Sequence, residues 1–429
     1  MERHLPGAGH HDGRLRLQPA RGWAARSVRS EMAMTRSRAV PRPSHTGSRF
    51  RNTVRDQLQD GLTRGIFPGA VACVMTKQRV LALEAAGFAQ IIPRRRPIGA
   101  RTIFDLASLT KPLATTTAIL QLRARGLLEQ DAPVATYLPS FANSTHAMIT
   151  IRHLLTHTSG LPAWEMLYLP SPQRADGSRA PACRSIAEAV ERIGSTPTSS
   201  PPGAKVDYSD LGFIVLGHLV ALLGSEALEV HTKHNIAHPL GLRTLRFRPP
   251  TSWRRRCAAT EVGNAYERAR AAEQGLPDGF RWRTHLLCGE VDDGNAYYVG
   301  DGIAGHAGLF GTAHDVARIG QMLLHGGVLN RRRILPATLI ADATTDQTHG
   351  LAGGGRGLGW AVSQPWFGQR ASAGAFGHTG FTGASMLIDP SREVVIVLLT
   401  NRIHPSAESN AIVEFRPVFH DAVLDALDK

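Results

Sequence analysis

Ser108-Leu109-Thr110-Lys111 sets a hydroxyl and an amine three residues apart, at the head of a strong helical run from Pro112 to Arg125. On a helix this spacing brings both side chains to one face, so the amine reaches the hydroxyl. A neutral serine is a poor nucleophile, and an adjacent amine is one of the few groups that activates it. The chemistry implied is covalent hydrolysis by serine, with lysine where other enzymes use histidine. Four letters of this kind also arise by chance, and the competing reading is a solvated first helical turn.

Three further stretches carry residue types that such a site needs. Tyr208-Ser209-Asp210 stands at the entry of an apolar, helix-length run from Asp210 to Leu223. A phenol there can serve as a second proton carrier beside a lysine; the plainer reading is a packed tyrosine with Asp210 as an N-cap. His378-Thr379-Gly380-Phe381-Thr382-Gly383 leads into a strand. Glycine lets backbone approach a ligand closely, and the next N–H can face a developing oxyanion. The alternative is a glycine-rich turn that merely starts the strand. Gly305-His306-Ala307-Gly308-Leu309-Phe310 offers small residues for tight packing near a cleft. His306 reads equally as a satisfied buried histidine or as a functional one.

The rest of the chain must position these groups. Its 429 residues, 42% hydrophobic and 20% charged, suffice for one large domain or two modest ones. The formal net charge is +14, but residues 1–50 hold ten arginines, no lysine and three acids, so half the excess lies there. The remainder is spread thinly, without the aromatic–basic interleaving of a nucleic-acid platform, so no nucleic-acid partner is expected. Residues 1–48 read as a disordered Arg/Pro-rich extension or a mis-assigned start, with Met32 or Met34 as the true one. No apolar run of signal-peptide or membrane-span length is present, so the expected location is cytoplasmic; a mis-assigned start would leave the periplasm open. Cys73, Cys183, Cys257 and Cys288 lack zinc spacing and are expected as free thiols.

Folded structure is expected from about residue 49 to 429. Asn52–Arg64 reads as a helix, Gly69–Met75 as a buried strand, and Arg79–Gly87 as its hairpin partner. Gly383–Ile388 and Glu393–Thr400 flank a turn at Asp389-Pro390-Ser391-Arg392, and Ser406–Leu427 reads as a closing helix. Between them Ile151–Thr156, Asp210–Leu223 and His314–Leu324 are helical. The simplest architecture is α+β: one antiparallel sheet built from both chain ends and flanked by helices, with a mostly helical inserted region at about 112–330.

Ser108-x-x-Lys111, Tyr208-x-Asp210 and His378-Thr379-Gly380, in that order, resemble the serine β-lactamase and penicillin-binding-protein superfamily, nearest its class C-like branch of family VIII esterases and DD-peptidases. Phe104-Asp105-Leu106-Ala107-Ser108, Leu154-Leu155-Thr156-His157-Thr158-Ser159-Gly160-Leu161, Pro202-Gly203, Asn295-Ala296-Tyr297-Tyr298 and Pro239-Leu240-Gly241-Leu242 support the likeness, which spans about residues 50 to 425. The resemblance implies a β-lactamase/transpeptidase-like fold, Ser108 as the acylated nucleophile, and Lys111 taking its proton or holding it through an electrostatic network. It implies Tyr208 as general base, the N–H groups of Ser108 and Phe381 as the oxyanion hole, and Asp210, His378, Thr379 and Gly380 facing the substrate. No metal or organic cofactor is implied.

Asp210 stands where the family usually has asparagine, and His378 where it usually has lysine. An ionised aspartate only accepts hydrogen bonds and repels a carboxylate, and histidine gives no fixed positive charge. Both changes point to neutral carboxylic esters as the substrate of an acyl-serine hydrolase. A DD-carboxypeptidase or weak β-lactamase is the alternative, and a non-catalytic peptidoglycan-binding or sensor protein of the same fold is a third. The partner expected is a small ester, amide or peptide.

Overall fold

Successive side chains of a strand leave opposite faces of its sheet. Along Gly69–Thr76 this sends Val71, Cys73 and Met75 into one core and Ala70, Ala72 and Val74 into another. Both faces of the sheet are therefore covered, which is why the segment is apolar throughout. The structure, a computed structural model, describes residues 45–173, 177–276 and 279–429. Most of the expected leading extension, residues 1–48, lies outside the described residues.

Seven strands form one antiparallel sheet: β1 (Gly69–Thr76), β2 (Val80–Gln90), β3 (Arg96–Pro97), β4 (Ala361–Val362), β5 (Phe376–Thr379), β6 (Ser385–Asp389) and β7 (Val394–Thr400). Their order is β4-β5-β6-β7-β1-β2-β3, so both chain ends meet at the β7–β1 seam, where Ala70 pairs with Thr400 and Thr76 with Val394. The β1–β2 hairpin and the β6–β7 turn form where the sequence predicts them.

Five helices frame the sheet and the site: α1 (His45–Thr63), α2 (Thr117–Ala124), α3 (Asp210–Gly224), α4 (Ala313–Leu324) and α5 (Ile412–Leu427). α1 and α5 cover one face of the sheet through Val54, Leu58, Phe415 and Phe419. α4 lies on the other face, and Gly320 brings it close. A Cβ there would stand 2.6 Å from Met386 Cε and 2.7 Å from Val395 Cγ1.

The closing helix starts later than expected, at Ile412 rather than Ser406. The intervening backbone is engaged elsewhere: Ser409 O accepts from the Arg402 guanidinium, and Glu408 N–H donates to Ser406 Oγ. Small sheets also form in and just before the inserted region, where the sequence predicts no strand. Phe104–Asp105, Leu309–Gly311 and Arg246–Phe247 make one, and Ala259–Val262 with Leu286–Cys288 another. Strands this short show no readable alternation. All four cysteines are free and buried. No single described helix is long and apolar enough to cross a membrane.

Candidate active site

Ser108 sits in a tight turn, Ala107–Leu109, directly after the short strand Phe104–Asp105. Ala107 holds a left-handed backbone (φ 45°), which costs an alanine energy and is fixed here from three sides. Asp105 Oδ1 accepts the Ala107 N–H (2.8 Å), Thr110 Oγ1 donates to Ala107 O (2.7 Å), and Leu309 N–H donates to Thr110 Oγ1 (3.1 Å). A wide π-type turn, Lys111–Thr116, comes next, before α2 begins. The predicted continuous helix is thus distorted at its head, as π-turns at functional sites often are.

Lys111 is fully buried, and its Nζ donates to Ser108 Oγ (2.9 Å) and to His306 O (3.3 Å). Asp210 Oδ1 lies 2.6 Å from the same nitrogen. Burial alone would drive the lysine pKa down, but Asp210 and Tyr208 outweigh it and hold the ammonium above the ordinary lysine value. The charge expected from Asp210 is therefore engaged by the lysine. Asp210 is not the helix N-cap either: Ser209 Oγ takes that place, accepting from Gly212 N–H.

Tyr208 lies against Lys111, whose Nζ stands 4.9 Å from the phenol ring centre. Its other side rests on His157, ring centres 4.4 Å apart. His157 adopts φ 58° and accepts the Ser209 N–H at Nδ1 (3.1 Å), tying the tyrosine segment to the Leu154–Leu161 loop. Burial first, then the cations Arg356 and Lys111, keep this ring well below the usual histidine value. The glycine-rich run behaves as its composition suggests. A Cβ on Gly305 would stand 1.9 Å from Phe213 O, so the loop presenting His306 O packs directly on α3.

His378, at the end of β5, is buried and donates from Nδ1 to Thr379 O (2.7 Å), which leaves Nε2 as an acceptor with no partner among the described residues. Burial, reinforced by Lys111 and Arg356, pushes its pKa down to about 3, so the ring is neutral. Gly380 lets this strand end reach the nucleophile turn, since a Cβ there would stand 2.7 Å from Leu106 O. Arg416 donates to the carbonyls of Gly380 and Ala384, and Arg402 Nε donates to Phe381 O. In a trans peptide the Phe381 N–H points opposite the Gly380 carbonyl, so Arg416 fixes its direction.

Ser108, Asp210 and Phe381 line two cavities. One, of about 430 Å³, holds Tyr208, His378 and the cations Arg356, Arg402 and Arg416. Arg356 has no ion-pair partner among the described residues, and its Nε is buried without a hydrogen bond. The other, of about 280 Å³, is acidic and aromatic, with Glu261, Glu267, Asp292, Trp164, Tyr266 and Phe381 on its walls. Asp210, Asp293 and His306 bring ligand atoms within 4.8 Å of one another, a set that could hold a metal ion. Asp210 is already engaged by the Lys111 ammonium, and His306 Nε2 meets Asp293 Oδ1 at 2.9 Å, so all three groups have partners without one.

The structure thus gathers Ser108, Lys111, Tyr208, Asp210, His378, Thr379, Gly380 and Phe381 around one cleft. Sequence reasoning did not single out Arg356, Glu261, Asp292 or His157, which line or adjoin this cleft. Only His157 carries a local sign, because it lies in the Leu154–Leu161 run that resembles known proteins.

Residues 50–416 match the Beta-lactamase family. An "N-acetylmuramyl-L-alanine amidase" of Bacillus subtilis (strain 168) is 33% identical over 373 residues, covering 81% of this chain and 80% of the relative. A "Putative D-alanyl-D-alanine carboxypeptidase" of Escherichia coli (strain K12) is 33% identical over 359 residues, 79% of each. Among solved structures, "EstCE1, a hydrolase with promiscuous acyltransferase activity" superposes with a TM-score of 0.66 at 23% identity, covering 89% of this chain and 100% of that one. The chain is a β-lactamase-fold hydrolase, and it belongs to the β-lactamase family.

Proposed function

We propose that this protein cleaves amides or esters through an acyl-Ser108 intermediate, and that the departing portion carries a carboxylate. The observation that carries the reading is Arg356, a half-buried guanidinium without an ion-pair partner among the described residues, in the cavity that also holds Tyr208. A neutral His378 cannot supply a fixed charge, but Arg356 can, and guanidinium matches a carboxylate bidentately. The names of the amidase and carboxypeptidase relatives fit peptide-like substrates of this kind.

In this mechanism Ser108 Oγ adds to the carbonyl carbon while Tyr208 takes its proton. Lys111, held charged by Asp210, donates to Oγ and steadies the developing negative charge rather than acting as base. The N–H groups of Ser108 and Phe381 hold the oxyanion. Tyr208 returns the proton to the departing nitrogen or oxygen as its bond to carbon breaks. Water then adds to the acyl carbon, giving one proton through Tyr208 to Ser108 Oγ as that bond breaks. His157 is a positioning residue behind Tyr208.

A second reading, a neutral carboxylic ester as substrate, is favoured by the uncharged His378. One panel separates them: 3-carboxyphenyl acetate, phenyl acetate, a D-Ala-D-Ala peptide and nitrocefin, on one preparation. We expect the carboxylated leaving groups to be preferred about tenfold in kcat/KM, and Ser108→Ala to lose both turnover and fluorophosphonate labelling. Equal turnover of the two acetates gives the neutral-ester reading. Labelling and turnover unchanged in Ser108→Ala sink the mechanism, and no acyl turnover in the wild type would return the non-catalytic alternative.

A further inference from the structure

We propose that the acidic cavity on the other side of Ser108 receives a primary ammonium carried on the acyl part of the substrate, so that the whole substrate is zwitterionic. The proposal rests on the acyl-Ser108 mechanism. The departing atom must receive a proton from Tyr208, and Tyr208 lines the arginine cavity but not the acidic one. The acyl group therefore extends into the acidic side.

Several acids there already have partners. Asp105 accepts the N–H groups of Ala107 and Asp292, and Glu267 accepts from the Tyr168 hydroxyl (2.6 Å) and Gly294 N–H (2.8 Å). Two carboxyl oxygens do not: Glu261 Oε1 and Asp292 Oδ1 are buried without hydrogen-bond partners among the described residues. Glu261 is 2% exposed and Asp292 7%. Neither residue has an ion pair among the described residues. The buried cations Arg283 and Arg402 act on both acids from a distance, but Arg283 donates to Asn264 and to the backbone carbonyls of Val291 and Asp292 and pairs with Glu290 at 3.6 Å, and Arg402 donates to the backbone carbonyls of Phe381 and Ser409. Each carboxyl group is partly held, Glu261 by the N–H groups of Tyr266 and Ala407 and Asp292 by Thr260 and the Glu261 N–H, but one buried oxygen of each stays unmatched, a cost that a cation entering the cavity would remove.

The walls favour an organic cation over a metal ion. Calcium and magnesium need six or more oxygens close around them, whereas this cavity of about 280 Å³ is part aromatic. Trp164 lines it, and Tyr266 and Phe381, ring centres 5.5 Å apart, stand half-exposed at its edge, where an ammonium is attracted to ring faces. Arg270 also lines the cavity, with Glu273 beside it at 3.2 Å. Burial and the neighbouring Asp292 push Glu261 up to about 8, the behaviour of a carboxyl group awaiting a counter-charge.

The test uses 3-carboxyphenyl esters of 6-aminohexanoic and 4-(aminomethyl)benzoic acid beside their N-acetyl counterparts. We expect the free amines to be preferred at least about tenfold in kcat/KM, and Glu261→Gln to collapse that ratio toward one. Turnover of both members at equal rates overturns the ammonium site while leaving the acyl-serine reading intact. If no ester turns over, the acyl-serine reading fails, and the cavity is read from thermal melting of the wild type alone. A Tm raised by n-butylammonium and not by n-butanol still supports it; equal effects of the two, or a rise only with calcium, overturn it.

Discussion

Asp210→Asn restores the residue usual in the family and removes the carboxylate from Lys111. At 2.6 Å and an effective dielectric of about 20, Coulomb's law gives the ion pair roughly 6 kcal/mol. Asp210 is 19% exposed, so water weakens the pair, and about half of this, ~3 kcal/mol, is a reasonable working figure. Without the aspartate, the burial that lowers the lysine pKa meets less opposition, and Lys111 loses its proton more easily. If the charged lysine steadies the Ser108 alkoxide, acylation near pH 7 falls by about 10²-fold. The alkaline limb of the pH–rate profile also moves to lower pH. The assay is single-turnover acylation by 3-carboxyphenyl acetate from about pH 6 to about pH 10, with Tm recorded at each pH to exclude unfolding. The opposite result is informative. If the variant is faster at neutral pH, and its rate climbs as Lys111 loses its proton, then neutral lysine is the base and the role given to Asp210 is wrong.

Three further outcomes are expected. Arg356→Gln should cost carboxylated substrates about 10- to 100-fold in kcat/KM and phenyl acetate far less, read as the ratio of the two. For Glu261, whose folded value of about 8 lies above the ordinary glutamate value of 4.5, the stability contribution is full below 4.5 and is lost as pH rises through 8. His378 and His420, depressed to about 3 and about 4, act oppositely, losing their contribution as pH falls below 6.5. The Glu261→Gln minus wild-type difference in Tm cancels the histidines and should grow from about pH 5 to about pH 8.5; a flat difference refutes the raised carboxyl. Gly305→Ala forces a Cβ against Phe213 O and Gly217 N, and should lower stability in urea by about 3 kcal/mol with loss of acylation as His306 O shifts from Lys111; an unchanged midpoint refutes the close packing.

What could be read from the sequence was whatever a single local element carries. The Ser108–Lys111 pair lies within one turn, so its spacing alone brings amine to hydroxyl. β1 and β7 are buried on both faces, so their apolar runs stand out without any partner being known. The charges that line the two cavities have no such local pattern. Arg356 comes just after a glycine-rich turn and Glu261 lies in a four-residue strand, and each becomes meaningful only beside residues far away in the chain. Counting charges near the nucleophile also passes over which of them are paired. Asp210 and His378 looked hostile to a carboxylate, yet the charge of Asp210 is engaged by Lys111 and His378 is neutral, so neither sets the field that a substrate meets. On the reading proposed above, that field comes from the groups left unmatched, Arg356 on the departing side and Glu261 with Asp292 on the acyl side. In a buried site the paired charges build the catalyst and the unpaired ones select the substrate, because only the latter recover their lost hydration when a ligand arrives.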